Sequence, residues 1–273
     1  MQKVLVIQSA PSPTPLWQRN CMASVSKWAK ASGYDYRLLD DELFAQVPDW
    51  YMAKALGRMP IAADLGRLQW AKRLLSDGYS WVLWFDADLL IFAPEQLKLR
   101  LEQSCVFGQE HWVQPKRGAS GRWTVRKNIH NAFAAFPRDC PVLPFLIDLI
   151  LRMMARVDAD HIAPQMMGPK LLSTLHNLAA FQYQPEIGAL APEVLADIAS
   201  NTERSGALQA LCAAQPQPLV AANLCASLAP RLGDTEAAQN KVMQQIMLRL
   251  LQCHGGLSQP EDLYVVMGTD LGA

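Results

Sequence analysis

Trp81-Val82-Leu83-Trp84-Phe85-Asp86-Ala87-Asp88 decides how the rest of this sequence is read. A run of large apolar residues ends abruptly in two carboxylates spaced i, i+2. The density of aromatic and β-branched side chains after Gly78 predicts a strand buried on both faces. Residues two apart in an extended chain point the same way, so Asp86 and Asp88 are expected to aim at one spot just beyond the strand's end. In open α/β sheets that edge is where ligands bind. Paired acids there are costly without a positive partner, and a divalent cation with a phosphate on its far side answers the cost. The plainer alternative is a turn, because Asp is common where strands end. Against it, Leu89-Leu90-Ile91-Phe92 follows at once and encloses the acids between apolar segments.

Strand and helix signals alternate on the N-terminal side of this stretch. Lys3–Ile7 reads as a strand that ends at Gln8-Ser9-Ala10 and a proline-rich turn. Trp17–Ala31 has helical spacing with Val25, Trp28 and Ala29 on one face, and Gly33 stops it. Tyr34–Leu39 reads as a second strand, and Ala62–Ser76 as a helix closed by Asp77-Gly78. Such alternation predicts an α/β layered domain. On the C-terminal side, residues 109–131 read as an irregular basic segment with Trp112 and Trp123 interleaved, either a functional lid or a solvated loop. From Val142 onward helical patterns dominate, the last over Thr235–Cys253 with Met243, Ile246, Met247 and Leu250 as its stripe. The expectation from the pattern alone is an N-terminal sheet with a helical C-terminal region laid on or beside it.

Composition narrows the classes of function. With 273 residues, half of them hydrophobic, the chain can bury a large core. Lys plus Arg and Asp plus Glu balance at 25 each, so no long-range field favours nucleic acid or an anionic membrane. The helix candidate from Val142 to Met154 is interrupted by Asp148 and Arg152, and a bilayer span needs about 20 mostly apolar residues. The six cysteines show no CxxC pair, which suggests reduced thiols and a cytoplasmic address and argues against zinc.

A strand ending in Asp-x-Asp, preceded by a helix carrying Asp-x-x-Arg, resembles the glycosyltransferases of the GT-A fold that carry a DXD motif. The likeness is to the mannosyl- and capsular-polysaccharide type, and Trp84-Phe85-Asp86-Ala87-Asp88 is also similar to galactosyl- and xylosyltransferases with a Trp-x-Asp-x-Asp strand. The helix motif here is Asp64-Leu65-Gly66-Arg67. Two later stretches, Asn131–Pro137 and Met167-Gly168-Pro169, look similar as well, so the resemblance covers residues 1–175 and implies a nucleotide-sugar-binding catalytic core there, with a mainly helical region over 176–273 packed on it. The resemblance implies a mixed sheet flanked by helices, a nucleotide-sugar donor, a saccharide or lipid-linked acceptor and Mn²⁺ or Mg²⁺, with a lean toward retention of configuration. It implies Asp88 as direct metal ligand and Asp86 as a contact to the ribose or, through water, to the metal. Asp64 would bond the donor sugar, Arg67 would pair with a phosphate or sugar oxygen, and Gln8 and Ser9 would meet the base. His254 is the candidate third ligand, although a cation in the last turn of a helix also suits the macrodipole. Asn128 and Asn131, with His130 between them, form a polar cluster that would reach the site from the donor or acceptor side. A surface-attached acceptor would bring such an enzyme to a membrane without any anchor.

Each of these residues has a structural alternative. Asp64 and Arg67 stand i, i+3 on a helix and read equally as an exposed ion pair worth about 0.3–0.5 kcal/mol. A haloacid-dehalogenase-like phosphatase also ends a strand in Asp-x-Asp, with the first acid as nucleophile; there the motif opens the domain, whereas here a long prelude precedes it. A non-catalytic nucleotide- or sugar-binding protein of the same fold is the third reading.

Overall fold

The structure, a computed structural model, describes residues 2–102, 104–200 and 206–264. The chain opens with β1 (Val4–Gln8), α1 (Leu16–Ala31), β2 (Asp35–Leu38), α2 (Asp49–Ala55), α3 (Met59–Ser76), β3 (Trp81–Phe85) and β4 (Leu89–Ile91). It continues through β5 (Val106–Pro115), β6 (Trp123–Pro137), α4 (Val142–Arg156), α5 (Pro169–Ala179), β7 (Gln182–Gln184) and β8 (Ile187–Ala189). Then come α6 (Pro192–Ser200), α7 (Gly206–Ala214), β9 (Ala221–Asn223) and α8 (Glu236–Leu250).

Six strands form one mixed sheet in the order β2-β1-β3-β6-β5-β7. β1, β2 and β3 are parallel, β6 runs antiparallel to both β3 and β5, and β7 is parallel to β5. The expected buried strand is β3, and its pleat explains its composition. Trp81, Leu83 and Phe85 enter one core cluster, while Val82 and Trp84 enter the other. Leu83 and Phe85 are fully buried, and each such side chain contributes about 1.5–3 kcal/mol. On one face lie α1, α6, α7 and α8, through Trp17, Val25, Leu195, Leu208 and Ile246 among others. On the other lie α2 to α5, through Tyr51, Leu65, Leu143 and Leu172. The apolar periodicity read from the sequence thus places α1, α3, α4 and α8 within a few residues of their observed ends.

Two expectations fail. Residues 109–131 are no loop: they form most of a β-hairpin, β5 against β6, with only the turn around Lys116–Arg122 irregular. Past Gly108 this ribbon runs beyond the end of β3, since Phe85 already pairs with Phe133. The C-terminal region is also less helical than expected. The boundary at 175/176 falls inside α5, β7 extends the main sheet, and β8 and β9 join β4 in a second sheet of order β4-β9-β8. No described helix is long and apolar enough to cross a membrane.

Candidate active site

The turn after β3 carries the two acids. Leu89 N donates to the Asp86 carbonyl at 3.1 Å, so Asp86 to Leu89 close a β-turn rather than continuing an extended strand. The i, i+2 alternation argument therefore does not apply, yet Asp86, Ala87 and Asp88 line one cleft of about 370 Å³ at the carboxyl end of β3. Ser9, Pro11, Asp41, Phe44, Met59 and Arg67 complete its walls.

The acids differ sharply in environment. Asp86 shows 26% of its side chain, and one oxygen, Oδ1, accepts from Arg67 Nη1 at 3.0 Å and Trp84 Nε1 at 2.6 Å. Its Oδ2 has no partner among the described residues. Asp88 is buried, with Oδ1 accepting from Asn223 Nδ2 at 2.8 Å and Oδ2 from the Ala226 amide at 2.7 Å. Burial, and then the Asp86 charge, push its carboxyl up to about 6. The β4–β9 pairing brings Asn223 there, 135 residues away in sequence.

Arg67 is the hinge of the charge network. Besides Asp86 it donates to the Asn131 carbonyl at 2.8 Å, lies 3.5 Å from Asp64 and stacks 4.8 Å over the Trp84 ring. Only 7% exposed, it is neither the expected surface pair with Asp64 nor a free phosphate ligand. Asp64 is equally buried and accepts from Asn131 Nδ2 at 2.8 Å. Asp64 and Asn131 line a tight space beneath Arg67 rather than the acid cleft, so donor contact by Asp64 is replaced by support of Arg67. A kink in the ribbon makes this possible. Between Phe107↔Ala134 and Gly108↔His130 the β6 strand bulges, turning Asn131 toward Arg67 and the Ala132 carbonyl toward the Asp86 amide, 2.8 Å away. Met167-Gly168-Pro169 meets the same cluster. A Cβ on Gly168 would lie 2.6 Å from Asp64 Oδ2, so only glycine allows this approach.

The other expected residues fall elsewhere. Gln8 is fully buried, donating to the Asp86 carbonyl at 3.1 Å and accepting from the Tyr36 hydroxyl at 3.0 Å. With both ends of its amide engaged inside the fold, it steadies the turn instead of meeting a base. Ser9 does line the cleft, its hydroxyl donating to the Asp40 carbonyl. Asn128 lies in a separate groove on the ribbon, donating to Glu110 Oε1 at 2.9 Å. His130 is buried away from the cleft, Nδ1 accepting from the Ala132 amide and Nε2 facing the Ile187 carbonyl. His254 lines a different cavity, between α1 and α8, so the expectation of a third metal ligand there is not met. Among the described residues no three His, Cys, Asp or Glu side chains gather as a metal cluster. Sequence reasoning missed Trp84 as a donor to Asp86, although it stood in the quoted motif, and missed Asn223, which has no local signal.

The carboxylates fit a hard divalent cation in one respect. Mg²⁺ and ions like it take one or two carboxylates and draw their remaining oxygens from substrate phosphates and water. Asp86 Oδ2 and the second lone pairs of Asp88 supply that number of oxygens on one cleft. A cation there would also offset the acid excess that Arg67 alone leaves.

No family model matches this sequence, and no curated protein matches it. Among solved structures, the chain is similar to a glycosyltransferase involved in glycosylating the major capsid of PBCV-1, at 10% identity and a TM-score of 0.45, covering 89% of this chain and 98% of that one. It is similar to the galactosyltransferase LgtC in complex with donor and acceptor sugar analogues, at 12% identity and a TM-score of 0.41, over 89% and 95%. A Drosophila β1,4-galactosyltransferase 7 mutant, in complex with manganese, UDP-Gal and xylobiose, matches at 13% identity and a TM-score of 0.30, over 60% and 72%. Likenesses this distant carry no argument for what this chain does. The shared ground is an α/β architecture with a central mixed sheet flanked by helices, which the strand order here establishes by itself.

Proposed function

We propose that this protein transfers a glycosyl group from a nucleoside-diphosphate sugar to a saccharide or lipid-linked acceptor, with Asp86 and Asp88 holding Mn²⁺ or Mg²⁺. One observation carries the reading: two acids at the carboxyl end of a central parallel strand share a cleft of about 370 Å³, a size suited to a small-molecule ligand. A cation held by Asp86 and Asp88 would supply Lewis-acid chemistry, neutralising the charge of a diphosphate leaving group.

This chain's own residues do the rest. Asp86 presents Oδ2 to the cleft because Arg67 and Trp84 fix Oδ1 from behind. Asp88 is immobilised by Asn223 and the Ala226 amide, so its position is set before any ligand arrives. Phe44, Met59 and Pro11 give the cleft an apolar wall where a flat nucleobase excludes water, and Ser9 stands at its rim.

The test is thermal denaturation with UDP, GDP and ADP, each with and without Mn²⁺. A ligand selective for the folded state adds about 2.7 kcal/mol at a hundred times its Kd. The expected result is a metal-dependent rise with at least one diphosphate, lost in Asp86→Asn and in Asp88→Asn. No rise with any of the three, or a rise that survives both substitutions, refutes the proposal. Hydrolysis of a generic phosphomonoester that disappears in Asp86→Asn would point to the phosphatase instead.

A further inference from the structure

The ribbon formed by β5 and β6 carries a groove that the acid cleft does not use. Strand register puts Glu110 opposite Asn128, Trp112 opposite Arg126 and Gln114 opposite Thr124. Cross-strand partners share a face, so alternate residues of both strands present one polar surface with an indole at its middle. Helix α5 forms the opposite wall through Lys170, Ser173 and Thr174, enclosing about 580 Å³. This volume lies within the range of about 300–1,000 Å³ that small-molecule sites occupy.

We propose that this groove binds a pyranose oligosaccharide, holding part of the acceptor chain away from the reacting end; the acceptor role rests on the glycosyl-transfer reading above. The chemistry of the lining selects that ligand class. Trp112 is half-buried, packs against the core cluster that contains Val113 and lines the groove, so it serves as the platform. The face of an indole is electron-rich and attracts the slightly positive C–H hydrogens on the flat side of a sugar ring. Around that platform stand planar groups suited to adjacent hydroxyls. Glu110 keeps an oxygen free after accepting from Asn128 at 2.9 Å. Gln114, with its amide oxygen turned to Arg126, accepts from Nε at 3.2 Å and Nη2 at 3.3 Å, which fixes the guanidinium while leaving other donors open. An apolar ligand would strand these groups, and a nucleotide would face the carboxylate of Glu110.

The groove also adjoins the charge network from both walls. Asn128 lies three residues before Asn131, which bonds Asp64. Pro169 and Lys170 directly follow Gly168, which abuts Asp64. The groove and the charge network therefore meet through Asn128–Asn131 on one wall and Gly168–Lys170 on the other.

The experiment is binding of the labelled full chain to an array of immobilised neutral and uronic-acid-bearing oligosaccharides. The wild-type protein is expected to bind at least one, with affinity at least about ten-fold weaker in Trp112→Ala and in Arg126→Ala and unchanged in Asp86→Asn. Arg126 is exposed, so its truncation tests the groove even if Trp112→Ala fails to fold. Silence of the wild type on the whole array overturns the inference, as does full binding by folded Arg126→Ala. Loss in Asp86→Asn would also overturn it, by placing the sugar in the acid cleft. The metal-dependent response to nucleoside diphosphates should persist in Arg126→Ala. That response without glycan binding sinks only this inference; glycan binding without that response sinks the proposed function and the acceptor role that rests on it, leaving the groove's sugar binding in place.

Discussion

Asp64→Asn isolates what burial costs the charge network. Asp64 is 6% exposed, and burial pushes its carboxyl up to about 6 from the usual 3.8, even though Arg67 pulls the other way. The reason is visible in the distances. Arg67 commits Nη1 to Asp86 and to the Asn131 carbonyl, at 3.0 and 2.8 Å, and leaves Asp64 a contact of 3.5 Å. A shift of about 2 units corresponds to about 3 kcal/mol of lost stability with the acid ionised. The sign follows from proton counting: between pH 3.8 and about 6 the folded state holds the proton that the unfolded chain releases. The parent's penalty is therefore absent at low pH and complete above about 6. Asparagine keeps the acceptor for Asn131 but never ionises. Its buried amide donor adds a cost of about 1–3 kcal/mol that does not vary with pH. That offset cancels when the difference between variant and parent is compared across pH. Urea denaturation at several pH values should show the difference moving in the variant's favour by about 2 kcal/mol from pH 4.5 to pH 7.5. A difference that stays flat, or moves toward the parent, would show that Arg67 dominates and that the carboxyl is not held up by burial.

Three further outcomes follow from the packing. Gly168→Ala places a Cβ 2.6 Å from a buried carboxylate oxygen and should cost about 1–3 kcal/mol in urea denaturation; a neutral result would mean that α5 can recede from Asp64. Asn223→Ala removes one of the two donors to Asp88 and should lose about 1–3 kcal/mol, together with a weaker Mn²⁺-dependent thermal shift; unchanged stability would refute its role as an anchor. His111 is buried with neither ring nitrogen bonded among the described residues, and burial with the Lys127 charge lowers it to about 4. The unfolded chain takes up that proton near pH 6.5, so this histidine drains stability as pH falls from about 6.5 toward 4. His111→Leu should then gain on the parent by about 2 kcal/mol between pH 7.5 and pH 5, and equal acid sensitivity in both proteins would count against the burial argument.

What could be read from the sequence, and what could not, divides by the range of the interaction. β1, α1, α3 and β3 show their apolar periods openly because each buries a face of Val, Leu, Ile or Trp. The ribbon hides its period. Its buried face carries Gln109, His111 and Val113 on β5, and its other face carries Glu110, Trp112 and Gln114, so polar residues occupy both sides. β8 and β9 hide for a different reason: three residues each, Ile187–Ala189 and Ala221–Asn223, give too little β-branched signal inside an alanine-rich stretch that reads as helix.

The same division applies to the site, and it bears on what the C-terminal third is for. Asp86 and Asp88 announced themselves because a strand delivers them locally, and Arg67 because a helix does. The groups that make Asp88 tolerable come from Asn223 and Ala226, more than 130 residues on, through the pairing of β4 with β9. β9 in turn lies beside β8 and beneath the cluster that includes Ile246 and Leu250 of α8. A buried carboxylate without donors costs several kcal/mol, so the acid turn after β3 has its observed shape only when the C-terminal strands are folded against it. The later region is therefore part of the site's construction rather than an appendage laid on a finished core.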